Sequence, residues 1–134
     1  MTHQDVVGAI NRFVDAVNAG EHAAALEHFT ADATIIEDIP PYRWQGPQAG
    51  SQWMAAMGEN AARSGVTGIA MQLGEATRVE VEAGSAYAVY PAVLTLSGDG
   101  LRLQAGGCLT LTLQRADTGW LINALAWGGA APRP

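Results

Sequence analysis

A single cysteine, Cys108, stands among the 134 residues. No internal disulfide can form, which fits a reducing, cytoplasmic setting. Basic residues are scarce, 7 against 13 acidic ones for a net charge of −6, and they form no cluster. That excludes the electrostatic footprint of a nucleic-acid binder, and of a protein drawn to an anionic membrane surface. No apolar run approaches the roughly 18 residues that span a bilayer. The opening MTHQDVV has neither the basic nor the apolar region of a signal peptide. His3, His22 and His28 share no metal-ligand spacing with other donors, and no CxxC or HxxxH occurs, so no metal or cofactor is expected. The glycines at 98, 100, 106 and 107 match no phosphate-binding pattern and read as turn and bulge positions.

What the chain does have is apolar residues, 49% of the total against 15% charged, enough for one soluble domain with a real core. Val6, Val7, Ile10, Phe13, Val14 and Val17 recur three and four apart, which predicts an amphipathic helix over 4–19 with Gly20 as its stop. A shorter helix is expected over 21–29, anchored by Leu26 and Phe29. A strand from Ala33 follows, ended by Pro40 and Pro41. Gly46-Pro47 opens a third helix with proline where its missing donor matters least, and Gly65 closes it. Beyond Val66 the pattern changes to long alternating strands: 77–81, 86–96, 101–114 and 120–127. Turns at 82–85, 97–100 and 116–119 separate them. Three N-terminal helices and a meander make an α+β domain over 1–128, with the helices on one side of a strongly bent, mostly antiparallel sheet. The closing residues 129–134 have little to pack against and are expected to fray.

The densest chemistry lies in ATIIEDIPPYRW, residues 33–44. Two adjacent carboxylates end a strand, and neighbours on a strand face opposite ways. One of Glu37 and Asp38 therefore faces inward. Asp38 is read either as a general base in a half-buried pocket or as a solvated acid at a strand end, with Glu37 outside. Tyr42, Arg43 and Trp44 are read as a lid over a ligand, with Arg43 near Asp38, or as a loop covering the core edge. Asn123 falls with Leu121, Leu125 and Trp127 on one face, so its amide is a candidate ligand contact. Trp53, Met57 and Trp127 read as pocket wall or core. Parity counted from the turn sends Tyr87 inward and Tyr90 outward, unless a bulge near Pro91 reverses them. Cys108 has no base beside it and reads as structural.

Four phrases, INRFVDAVNAGE at 10–21, HFTADATIIED at 28–38, WQGPQA at 44–49 and TGWLINALAWG at 118–128, resemble the nuclear-transport-factor-2-like superfamily. That group includes ketosteroid isomerases, SnoaL-type polyketide cyclases, scytalone dehydratase and limonene epoxide hydrolase. The resemblance implies a cone-shaped, cystatin-like α+β fold with a ligand at its mouth. It places Asp38 where ketosteroid isomerases hold their general base. Their oxyanion tyrosine falls at Phe13, and their second oxyanion acid falls near Gly107 to Leu109, where no acid occurs. The arginine–aspartate pairing of limonene epoxide hydrolase has no counterpart in LRLQAGG.

Two classes of function follow. One is a cofactor-free acid–base enzyme (isomerase, dehydratase or cyclase) on a small apolar molecule, with Asp38 as base and Tyr42, Arg43 and Asn123 on substrate oxygens. The other is a non-catalytic binding or interaction domain, with the mixed face of Cys108, Thr110, Thr112 and Gln114 suited to a homodimer.

Overall fold

A computed structural model describes residues 2–134. Helix α1 spans His3–Asn18 and buries Val6, Ile10, Phe13 and Val14, the stripe its spacing predicts. Thr2 caps it: the hydroxyl accepts from the Asp5 backbone at 3.2 Å, while the Asp5 carboxylate accepts from the Thr2 backbone at 3.0 Å. Gly20 sits at φ +73° just beyond, the left-handed position that stops such a helix.

The other elements are α2 (His22–Leu26), β1 (Phe29–Ile36), β2 (Arg43–Gln45), α3 (Ala49–Arg63), β3 (Gly68–Leu73), β4 (Arg78–Glu82), β5 (Ser85–Gly98), β6 (Leu101–Ala116) and β7 (Gly119–Gly129). One seven-stranded sheet carries the order β2-β1-β7-β6-β5-β3, with β4 also on β5. Only the β1–β7 pairing is parallel. The sheet curves around the helices and does not close. Ala33 and Ile35 of β1, Leu109, Leu111 and Leu113 of β6, and Ile122, Leu125 and Trp127 of β7 supply its buried inner face.

Several expectations are corrected. The second helix is only five residues long, and Phe29 opens β1 instead of closing a helix. Phe29 still packs inward, edge-on to Phe13 at 5.2 Å between ring centres. The Arg43–Gln45 stretch is a strand rather than a free loop, because the tight turn after Glu37 folds it back onto β1, with Trp44 opposite Ile35. A further strand, β3, precedes the first strand expected of the meander, 77–81. It pairs along β5, and an interruption at Gly74 and Thr77, whose N–H groups donate to Pro91 and Val89, separates it from β4.

Parity around the tyrosines is also reversed. The β5–β6 pairing runs unbroken from Ser85 to Gly98, and the inward set is Ala86, Ala88, Tyr90 and Ala92. Tyr87 lies outside, with the Arg78 guanidinium 5.7 Å from its ring centre. The closing residues run along the exposed end of β6, where Gln104 and Arg133 exchange backbone hydrogen bonds at 2.7 and 2.9 Å.

Candidate active site

Between the inner face of the sheet and helices α1 and α3 lies a cavity of about 380 Å³, within the range of small-molecule sites. Phe13, Val14 and Val17 come from α1, Trp53 and Met57 from α3, and Met71, Leu94, Leu109, Leu125 and Trp127 from the strands. Pro132 completes the wall from the C-terminal segment. These walls are mostly apolar, with Asn18, Asn60 and Ser64 as uncharged polar members. The helical residues reach the cavity because α1 and α3 turn their apolar stripes toward the sheet. The strand residues reach it by inward parity.

Glu37 stands in this wall, and it is the one buried charged residue among the described residues, 7% exposed. Ala33 and Ile35 are inward, so alternation carries Glu37 inward too. Asp38 faces out and is exposed at the cavity rim. The expected faces of the two acids are thus exchanged. With Ile35 and Ile36 adjacent, either parity would bury one isoleucine, and the apolar pattern could not choose between them.

Three contacts hold Glu37. Its backbone N–H donates to the Tyr42 carbonyl at 3.1 Å, closing the turn. The Trp53 indole N–H donates to Oε1 at 3.3 Å, and the Asp38 backbone N–H approaches Oε2 at 3.4 Å. Burial pushes the carboxyl up to about 7; the Trp53 hydrogen bond works against that, and the charge of Asp38 adds to it. Trp53 is itself fixed, stacked on Phe13 at 6.3 Å and edge-on to Phe29 at 6.2 Å. Phe13 thus supports the residue that holds the acid. Trp53→Phe keeps an aromatic side chain but removes the donor, so the Glu37 midpoint should rise above its wild-type value. A carboxyl-detected NMR titration checks this.

Among the other sequence candidates, Trp53, Met57 and Trp127 line the cavity. Tyr42, Arg43, Trp44, Tyr87 and Asn123 do not. Tyr42 is 58% exposed, at φ +74° in the turn. Arg43 is exposed and donates to the Gln45 side chain rather than pairing with Asp38. Trp44 is buried in the core. Asn123 is turned away because the β6–β7 register shifts between Thr112 and Leu113. That bulge moves Ile122 inward and leaves Asn123 hydrogen-bonded to the Thr112 hydroxyl. Among the described residues no group of three or more His, Cys, Asp or Glu could hold a metal ion, and no helix is long and apolar enough to cross a membrane.

The profile of the SnoaL-like domain matches residues 2–126. The chain belongs to this family. Solved structures with the same fold include a nuclear-transport-factor-2-like superfamily protein from Salmonella enterica, 17% identical over 96% of this chain and 91% of that one, with a TM-score of 0.77. A nuclear-transport-factor-2-like protein with a cystatin-like fold from Novosphingobium aromaticivorans is 21% identical over 92% of this chain and 79% of that one, with a TM-score of 0.75. A candidate scytalone dehydratase from the same organism is 8% identical over 97% and 85%, with a TM-score of 0.79. No curated protein matches the chain in sequence. At these identities the structural likeness establishes the cone-shaped fold of this SnoaL-like protein, and its chemistry rests on its own residues.

Proposed function

We propose that this SnoaL-like protein is an acid–base enzyme of isomerase, dehydratase or cyclase type. Its substrate is a small apolar molecule held in the cavity, and Glu37 moves the proton. The observation that carries this reading is position: the single buried charged side chain among the described residues stands in the wall of a mostly apolar cavity, oriented by an indole N–H. A carboxyl that titrates near neutrality populates both forms, so it can take a proton from one atom of a substrate and return it to another. Glu37 replaces Asp38 in this role because Asp38 is exposed at the rim and solvated. A candidate dehydratase among the proteins of this fold is compatible with such chemistry. The absence of a tyrosine at position 13 argues against the two-donor oxyanion arrangement of ketosteroid isomerases.

The test uses small apolar compounds with acidic C–H bonds in heavy water, with exchange followed by loss of proton NMR signal. Wild type should accelerate exchange of at least one compound. Glu37→Gln should lower that rate by about 10²–10⁴-fold, while Asp38→Asn should stay within a few-fold of wild type. Exchange that survives Glu37→Gln, or that fails with Asp38→Asn alone, would sink the assignment.

A further inference from the structure

Trp127 is 4% exposed, lines the cavity, and its indole N–H has no hydrogen-bond partner. Buried polar groups nearly always have one, so an orphan donor in a cavity wall calls for an acceptor from outside the protein. The other orphan, the Tyr90 hydroxyl, is not in this cavity wall. The ring of Trp127 is also closely seated: its Cζ2 edge lies against the Cα positions of Gly107 and Gly129, where an added Cβ would come within 2.9 and 3.0 Å of it. This edge adjoins the N–H, so two side-chain-free positions hold the donor in place.

The rest of the lining narrows the ligand. Neither arginine nor histidine lines the cavity, and its acids are Glu37 and Asp38. A carboxylate or phosphate would enter beside like charge with no cation to meet it. We propose that Trp127 Nε1–H is the anchor for a ligand oxygen, and that the cavity takes uncharged apolar molecules with one acceptor oxygen of the carbonyl type. This deepens the acid–base reading by naming the substrate class and rests on it for the role of Glu37. A carbonyl oxygen supplies the bond that the indole N–H lacks within the protein, whereas a hydrocarbon cannot.

The experiment compares three bicyclic probes of one shape: 2-tetralone, its hydrocarbon tetralin, and tetralin-2-carboxylate. Binding is followed by the indole N–H resonances of the four tryptophans in a ¹H–¹⁵N spectrum. Trp127→Phe identifies the Trp127 signal by its disappearance. The ketone should move the Trp127 indole signal and bind about tenfold tighter than tetralin, with the carboxylate weaker than both. Trp127→Phe should erase the advantage of the ketone over tetralin. Equal affinity of ketone and hydrocarbon, a Trp127 signal unmoved by the ketone, or no binding by any probe overturns the proposal. If Trp127→Phe does not fold, the ketone-to-tetralin affinity ratio of the wild type decides alone. Glu37→Gln separates the two readings. It should keep the Trp127 shift and the ketone preference, so failure of the Glu37 assignment leaves the anchor intact, and loss of the anchor leaves exchange by Glu37 to be judged on its own.

Discussion

Wild-type stability should fall, relative to Glu37→Gln, as pH rises from about 5 to 8, and the gap should reach about 3 kcal/mol. In the unfolded chain Glu37 has the usual value of 4.5, and in the folded protein burial raises it to about 7. Between those values the folded state binds the proton and the unfolded state does not. Deprotonation then favours unfolding, so the stabilising contribution is complete below 4.5 and is lost as pH climbs through 7. Glutamine keeps the shape and an oxygen for the Trp53 donor without ever ionising, and its curve should lack this loss.

Two other groups must be set apart. Burial, with Arg12 adding to it, holds His28 below its usual 6.5, so the unfolded state binds more protons there and stability rises with pH near 6. Asp5 is held below its usual 3.8 by hydrogen bonds from Thr2, and its contribution is complete before the window opens. Both are common to the two proteins, so the difference between urea unfolding curves at a series of pH values isolates Glu37. Parallel curves from pH 5 to 8 would show that Glu37 is an ordinary solvated acid.

Gly107→Ala should lower stability by about 3 kcal/mol, the upper end of what overpacking does, and lower Tm by roughly 10 °C. The new Cβ would stand 2.3 Å from the Gly128 carbonyl oxygen and 2.8 Å from the Gly129 Cα. Both are backbone atoms of the paired strand, opposite in register, so neither can swing aside as a side chain would. Relief requires β6 and β7 to part next to Trp127, and the Trp127 indole resonance should broaden or move. Gly106→Ala is the control, since nothing lies within 4 Å of its added Cβ. It should stay within about 0.5 kcal/mol of wild type. Thermal unfolding of the pair decides; equal midpoints would mean that the strands approach less closely than described.

The same glycine shows where reading the chain from residue patterns reaches its limit. Gly107 in LQAGGC reads as a bulge or turn position, whereas it is a mid-strand contact created by a strand that lies nearby only after folding. Local spacing did reveal α1, because its apolar residues repeat every three to four positions over sixteen residues. The long strands β5 to β7 were legible from their alternation and the glycine-bearing turns between them. β3 was not, since Gly68 to Leu73 presents a largely exposed edge without a clean apolar alternation. At the site, an inward acid at the end of β1 followed from strand geometry alone, but which acid did not, because Ile35 and Ile36 erase the parity signal. The resemblance to ketosteroid isomerases pointed to the second acid, while the folded strand turns in the first. Trp53, Met57 and Trp127 were legible as walls; the hydrogen bond from Trp53 to Glu37, and the unpartnered N–H of Trp127, required the third dimension. Asn123 went astray through a one-residue bulge, to which side-chain alternation is blind.

Pro132 in the cavity wall, with Arg133 fastened to Gln104 beside it, bears on how the protein should be handled. An affinity tag appended after Pro134 would begin two residues from the cavity wall. A tag before Thr2 would extend instead from the start of α1, whose first turn is exposed. Ligand screens should therefore carry the tag at the N-terminus, or have it removed.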